Sequence, residues 1–93
     1  MTFAAVTYVD LEDRDPADGL RLLNDMLVPR LKAMPGFQSA RFLRSPDGKT
    51  GIGSAICDSQ SHAQECLDAM TVERPAEAPA VTSAAVYEVV LEA

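Results

Sequence analysis

Several residue types are scarce in this chain. Its 93 residues include no tryptophan, a single histidine and two cysteines. Cys57, His62 and Cys66 offer three soft metal ligands within ten positions, but a structural zinc site normally needs four. A catalytic metal held with an added carboxylate is the alternative; we predict no metal site and expect both cysteines to be small core residues. No apolar run approaches the ~20 residues that span a bilayer, so no membrane partner is predicted.

Basic residues are also few, with 8 lysines and arginines against 14 acidic residues and a net charge of −6. This balance repels phosphate backbones, so we predict no nucleic-acid partner. The chain start lacks the basic and apolar regions of a signal peptide, and two cysteines suit a reducing compartment, which together predict a cytoplasmic protein. Five basic residues nonetheless cluster, and either pair with a partner subunit or solvent, or form an anion-attracting rim around a ligand pocket: Arg30, Lys32, Arg41, Arg44 and Lys49.

The first half of the chain predicts a strand followed by a helix. Residues 2–11 are rich in β-branched and aromatic types, which favour a strand. Asp15 can cap the free amides of a helix that starts at Pro16, and Pro35-Gly36 can end it. Pro29 removes one backbone hydrogen bond inside this helix, so we expect a kink there. Apolar residues recur at helical spacing through it: Leu20, Leu23, Leu27, Leu31 and Met34.

The second half predicts three strands and one helix. Residues 37–45 and 49–57 form a hairpin closed by a Ser-Pro-Asp-Gly turn, in which Gly48 takes the left-handed conformation. A capping box, Ser61 to Gln64, marks the start of the second helix. Residues 71–80 contain two prolines and should form a loop, and residues 81–92 should form the last strand.

The resulting order, β-α-β-β-α-β, predicts a single α+β domain over residues 1–93 with a ferredoxin-like fold. Right-handed crossovers place both helices on one face of an antiparallel sheet. A wet second face would require strands that alternate cleanly between apolar and polar residues, and the outer strands do not. We therefore expect the uncovered face to be buried against a second copy of the chain, giving a homodimer. In the first strand, for example, Ala4, Val6 and Tyr8 point to one face and Phe3, Ala5 and Val9 to the other. Both sets are apolar.

The helix ending in Leu31-Lys32-Ala33-Met34-Pro35-Gly36-Phe37, with the following strand and hairpin, resembles the dimeric α+β barrel superfamily. The nearest likeness is to its antibiotic-biosynthesis-monooxygenase-like branch, and it covers the whole chain by order of elements. The resemblance implies a barrel made from two sheets, with helices outside and a ligand cavity between the sheet and helices of each subunit. Members of that branch include cofactor-free oxygenases of polycyclic aromatic phenols, quinol oxygenases and haem-degrading enzymes.

The haem-degrading members would offer an asparagine on the first strand, a tryptophan and an axial histidine. Here the only asparagine is Asn24 in the first predicted helix, tryptophan is absent, and the only histidine is His62 near a helix start. Haem degradation is therefore not expected, no cofactor is predicted, and no catalytic residue is transferred from the family.

Two residues are the candidate catalytic groups. His62 is the only side chain that ordinarily titrates near neutral pH, which makes it a candidate general base. Its position at a helix start, near positive dipole charge, should disfavour its cationic form. Tyr8 on the first strand could hydrogen-bond a substrate or steer its deprotonation. The alternatives are an exposed first-turn histidine and a tyrosine that only packs.

Four further residues are candidate substrate contacts. Tyr87 lies on the last strand and could act as Tyr8 could. Arg41 and Arg44 are three positions apart, so they point to opposite faces of their strand, and one of them could bind a carboxylate or phenolate. Gly51 and Gly53 leave a bare stripe on the third strand, where a planar molecule could approach closely. The predicted substrate-binding set is Arg41, Tyr87, Gly51 and Gly53.

The sequence supports two functional hypotheses. The first is a monooxygenase-like oxidoreductase that needs no metal or haem and acts on an aromatic or quinol-type molecule held under the helices. The second is a non-catalytic module of the same dimeric fold that binds a small molecule or serves assembly. Both rest mainly on fold analogy, and the sequence decides neither whether the protein is an enzyme nor which substrate it takes.

Overall fold

The computed structural model describes residues 1–72 and 78–93. It contains four strands, β1 (Phe3–Asp10), β2 (Phe37–Arg44), β3 (Thr50–Cys57) and β4 (Val81–Glu88). The helices are α1 (Pro16–Leu22), α2 (Val28–Lys32) and α3 (Gln60–Thr71), and a π-helical segment, Leu23–Leu27, joins α1 to α2. The four strands form one antiparallel sheet in the order β2-β3-β1-β4. The predicted ferredoxin-like arrangement is thereby confirmed, with α1, the π segment and α2 acting as the first of its two helices.

The first helical stretch begins as predicted. The Asp15 carboxylate accepts a hydrogen bond from the Ala17 amide, and Pro16 occupies the first helical position. The sequence predicts a kink at Pro29, and the regular α-helical pattern is broken just before this residue. There the Val28 amide donates to the Leu23 carbonyl, five residues back instead of four. This wider turn accommodates a proline that can donate no hydrogen bond of its own.

The hairpin between β2 and β3 also follows the prediction. Gly48 has a φ of 76°, and its amide donates to the Ser45 carbonyl at 2.9 Å. The Asp47 carboxylate accepts from the Ser45 hydroxyl at 2.6 Å and from the Lys49 amide at 2.9 Å. These two hydrogen bonds favour the charged carboxylate and lower the pKa of Asp47.

Two predicted boundaries are wrong. The N-cap of α3 is Ser59, whose backbone is extended and whose hydroxyl accepts from the His62 amide, so the helix begins two residues before the expected capping box. The last strand ends at Glu88 instead of residue 92, because its partner β1 ends opposite it at Phe3. Of the predicted loop over 71–80, residues 73–77 lie outside the described residues.

The sheet has a covered face and an open face. On the covered face, which α3 and α2 pack against, lie Ala5, Thr7, Ala40, Phe42, Arg44, Gly51, Gly53, Ala55, Cys57, Ala84 and Val86. The open face carries Ala4, Val6, Tyr8, Ser39, Arg41, Leu43, Ile52, Ser54, Ile56, Ser83, Ala85 and Tyr87. The core is built mainly between α3 and the covered face, and consists of Ala5, Leu31, Ala55, Cys57, Ala63, Cys66, Leu67, Ala69 and Met70.

Within the described ranges, no helix is both long enough and apolar enough to cross a membrane.

Candidate ligand-binding cavity

A cavity of about 1170 Å³ lies between the first helical stretch and the β3 side of the covered face. Its described lining is mostly apolar, with side chains from β1, β2, the π segment and α3. The principal apolar lining residues are Val9, Leu11, Leu20, Leu22, Leu23, Met26, Leu27, Phe42 and Met70. Exposed acidic residues of the segment before α1 also line it, so the cavity opens to solvent on that side. Apolar walls with a few polar groups are typical of small-molecule sites, and this volume is somewhat above their usual range of about 300–1,000 Å³.

The glycines of β3 form the floor of this cavity. Gly51 and Gly53 are both buried and both line it. A methyl group added at Gly53 would lie 2.9 Å from Thr7 Oγ1, 3.0 Å from Met70 Cε and 3.2 Å from Phe42 Cε1. Neighbouring side chains therefore fill the space directly over the two glycines, and the cavity begins beyond those side chains.

Thr7 supplies a polar group at the floor. It is the buried polar residue of the described chain, at 5% exposure, and it lines the cavity beside Gly53. Among the described residues, no fully buried side-chain nitrogen or oxygen lacks a hydrogen-bond partner. A threonine hydroxyl can both donate and accept, so it could orient the oxygen of a bound molecule.

Arg44 brings a positive charge to the same cavity. It pairs with Gly51 across the β2–β3 ladder, which puts its side chain on the covered face. Arg41 is three positions away and lies opposite Ser54 on the open face, so it does not line the cavity. The sequence showed that the two arginines point in opposite directions, and the structure places Arg44 on the same face as the partly buried Phe42.

The two tyrosines lie on the open face. Tyr8 is opposite Ile52 in β3, and Tyr87 is opposite Ala4 in β1. Their exposed fractions are 40% and 53%, and neither side chain reaches the cavity of its own chain. The sequence-predicted set is therefore divided, with Gly51 and Gly53 in the cavity and Tyr8, Arg41 and Tyr87 on the other side of the sheet.

His62 lies at the start of α3, away from the cavity. Its Nδ1 is 2.6 Å from Oδ1 of Asp58, and the pair packs against the backbone of Gly36, whose φ is 75°. Asp58 raises the pKa of His62, and the histidine in turn lowers the pKa of Asp58. The expected effect of the helix start on His62 is thus outweighed, because the carboxylate is in direct contact with the ring.

The two cysteines contact each other in the core. Their sulfur atoms are 3.2 Å apart and both residues are fully buried. Burial, with a contribution from Cys66, raises the pKa of Cys57 to about 12. Among the residues described, no three histidine, cysteine or acidic side chains converge as metal ligands would. Both cysteines take the core positions expected of them.

Solved structures with the same fold include three of interest. No protein-family profile and no curated protein sequence matches the chain. The structure of Rv0793 from Mycobacterium tuberculosis superposes with a TM-score of 0.65 at 20% identity, covering 100% of this chain and 99% of that one. The "Putative antibiotic biosynthesis monooxygenase from Nitrosomonas europaea" gives 0.63 at 12% identity, covering 96% and 90%. A "putative monooxygenase" from Shewanella loihica PV-4 gives 0.54 at 20% identity, covering 99% of each chain. The chain therefore has the fold of antibiotic-biosynthesis-monooxygenase-like proteins, as its sequence resemblance predicted.

Proposed function

We propose that the protein is a cofactor-independent monooxygenase-like enzyme that acts on an aromatic or quinol-type molecule in the cavity. The observation that carries the proposal is a mostly apolar cavity over the glycines of β3, lined by the buried hydroxyl of Thr7 and by three arginines, of which Arg44 lies on the covered face of the sheet. A flat apolar ring can lie against the apolar side chains that close over Gly51 and Gly53, among them Val9, Phe42 and Met70. Thr7 and Arg44 then face the ring's oxygen substituents.

The chemistry of such a substrate needs no metal. A phenol or enol that loses its proton becomes electron-rich enough to react with oxygen directly. When a ring methylene is converted to a carbonyl, the substrate supplies all four electrons, one oxygen atom enters the product and the other leaves as water. Arg44 would stabilise the substrate anion, because a nearby positive charge favours the ionised form. Thr7 would hold the substrate oxygen in place by a hydrogen bond.

The non-catalytic binding module is the second candidate, and one observation favours it. The described residues around the cavity include neither of the tyrosines nor His62. In a single chain the two candidate catalytic groups thus lie outside the cavity. A binding protein would need only the apolar walls and the polar contacts of Thr7 and Arg44.

Oxygen uptake with a panel of quinols and anthrones separates the two functions. We expect uptake by the wild type, a KM raised about tenfold or more in Arg44→Gln, and little change in Arg41→Gln, which removes the same charge from the opposite face. His62→Ala and Tyr8→Phe test the sequence-based candidates, and unchanged rates in both would remove them. Binding without uptake across the panel would favour the module, and a larger effect in Arg41→Gln would contradict the placement of the substrate.

We also propose that the open face is the interface of a homodimer. Its centre is mostly apolar, with Val6, Ile52 and Ile56 around Ser54 on the two middle strands, and polar residues such as Ser39 and Ser83 lie on the outer strands. Helices cover the other face only, so this one remains accessible in a single chain. A second copy brings the same apolar patch about a two-fold axis and leaves the polar residues at the rim.

Sedimentation of matched variants tests the dimer. Val6→Asp places an unpaired charge at the centre of the face, which costs about 3 kcal/mol or more in a buried interface and should weaken association at least 100-fold. Val72→Asp introduces the same charge at an exposed position just after α3 and should leave association unchanged. A wild-type monomer at micromolar concentration would refute the proposal.

A further inference from the structure

We propose that Cys57 and Cys66 form an oxidisable dithiol, and that its disulfide links α3 to β3 next to the cavity floor. Cys57 is the last residue of β3, and Cys66 lies in the second turn of α3. Their sulfur atoms are already 3.2 Å apart in the core, and both residues are free cysteines. Neither residue takes part in the proposed oxygenase chemistry.

The distance leaves little movement to be made. A disulfide has a sulfur–sulfur distance of about 2.05 Å, so closure requires the two sulfurs to approach by roughly 1 Å. The sulfurs are brought together by the packing of α3 on the covered face, where Ala63 and Ala55 keep the two elements close. Two thiols that touch in the reduced fold have already lost most of the chain entropy that pairing would cost.

The oxidant we name is hydrogen peroxide, and the reaction balances in two steps. One thiolate attacks a peroxide oxygen, the O–O bond breaks, a sulfenic acid forms and one water leaves. The second sulfur then attacks the sulfenic sulfur, the S–O bond breaks, and a second water leaves as the S–S bond forms. Over the two steps both sulfurs are oxidised, and both oxygen atoms of the peroxide are reduced to water.

Burial sets the rate of this reaction. The raised pKa of Cys57 leaves little thiolate at neutral pH, and peroxide reaches the pair only through local opening of the core. Oxidation should therefore be slow near pH 7 and faster as the pH rises. The pair responds to sustained exposure to peroxide and not to a brief pulse.

The link would reach the cavity through the same two elements. Met70 lies one helical turn beyond Cys66, and Gly53 lies four residues before Cys57 on the same face of β3. Met70 Cε approaches Gly53 closely, and both residues line the cavity. Drawing α3 toward β3 at the cysteines should shift Met70 relative to the floor. This consequence, unlike the disulfide itself, rests on the cavity of the proposed function.

The disulfide is tested by treating the folded wild type with hydrogen peroxide, then denaturing it and alkylating the remaining thiols. We expect an intact mass lower by two hydrogen atoms, two protected cysteines and a melting temperature raised by roughly 10–20 °C. Cys66→Ala and Cys57→Ala, checked for folding by circular dichroism, should form no intramolecular link. Two thiols that remain free in the folded protein, or a disulfide that forms only in denaturant or only between chains, would overturn the proposal.

The effect on the cavity is read with the fluorescent probe 8-anilinonaphthalene-1-sulfonate. Oxidation should change the dissociation constant of the wild type several-fold and leave that of peroxide-treated Cys66→Ala unchanged, although its methionines receive the same treatment. A disulfide that forms without changing probe affinity would overturn the coupling and leave the disulfide standing. Failure of both forms to bind the probe would count against the cavity and the proposed function, while the mass measurement still decides the disulfide.

Discussion

The floor of the cavity makes a quantitative prediction at Gly53. In Gly53→Ala, the added methyl group would meet Thr7, Met70 and Phe42 at 2.9–3.2 Å, closer than ordinary contact. Overpacking of this kind costs roughly 1–3 kcal/mol. Alanine recovers roughly 0.5–1 kcal/mol relative to glycine in a strand, because it loses less chain entropy on folding. We therefore expect a net loss of roughly 0.5–2 kcal/mol in the free energy of unfolding.

Gly19 provides the matched control for this substitution. It lies in α1, and a methyl group added there meets no atom within 4 Å. Gly19→Ala should therefore stabilise the protein by roughly 0.8–1 kcal/mol through helix propensity. The two variants carry the same chemical change in opposite surroundings, so the sign of the effect depends on the packing above Gly53.

Urea denaturation at one fixed protein concentration measures the difference, since association would otherwise change the apparent stability. With a slope of about 1–1.5 kcal/mol per molar urea, the midpoints of the two variants should differ by roughly 1–3 M. Gly53→Ala should also weaken binding of the fluorescent probe, because the methyl group displaces Met70 and Phe42, which line the cavity. A Gly53→Ala protein as stable as the wild type would refute the argument that the glycine is required by close packing.

Two further predictions concern the start of α3. Ser59→Ala should lower the free energy of unfolding by about 1 kcal/mol, because the first-turn amide of His62 loses its acceptor. Ser61→Ala should change the free energy of unfolding by about a few tenths of a kcal/mol at most. Chemical denaturation of the two variants measures the difference. Asp58 raises the pKa of His62, so this contribution to stability is complete below the unfolded pKa of histidine and is lost as the pH rises through the higher folded value. The lowered pKa of Asp58 contributes stability above the unfolded pKa of aspartate, and this contribution is lost as the pH falls through the folded pKa of Asp58. The pair therefore stabilises the fold most between the unfolded pKa of aspartate and the unfolded pKa of histidine. Titration of the His62 ring by NMR should show its pKa falling in Asp58→Asn, and an unchanged pKa would contradict the contact.

The local features of the fold could be predicted because each depends on neighbouring residues. Asp15-Pro16 starts a helix wherever the following residues permit one, and the Ser-Pro-Asp-Gly turn needs only Gly48 at a positive φ. The order of strands and helices then leaves few topologies, and the handedness of crossovers selects the observed one. The errors fell at element ends, where Ser59 and Ser61 are equally plausible caps by sequence and only the backbone conformation at Ser59 selects between them.

The division of the candidate site was decided by the tertiary structure. Tyr8, Arg41 and Tyr87 are on the open face and Gly51, Gly53 and Arg44 on the covered face, because strand register and the side on which the helices pack determine which alternate residues point inward. Period-two alternation shows that two sets exist but does not say which set the helices cover. The buried hydroxyl of Thr7 and the contact between Cys57 and Cys66 arise in the same way, from residues on different elements brought together by packing. The sequence by itself determined the order of elements and their apolar faces; only the folded chain determined which polar groups share a cavity.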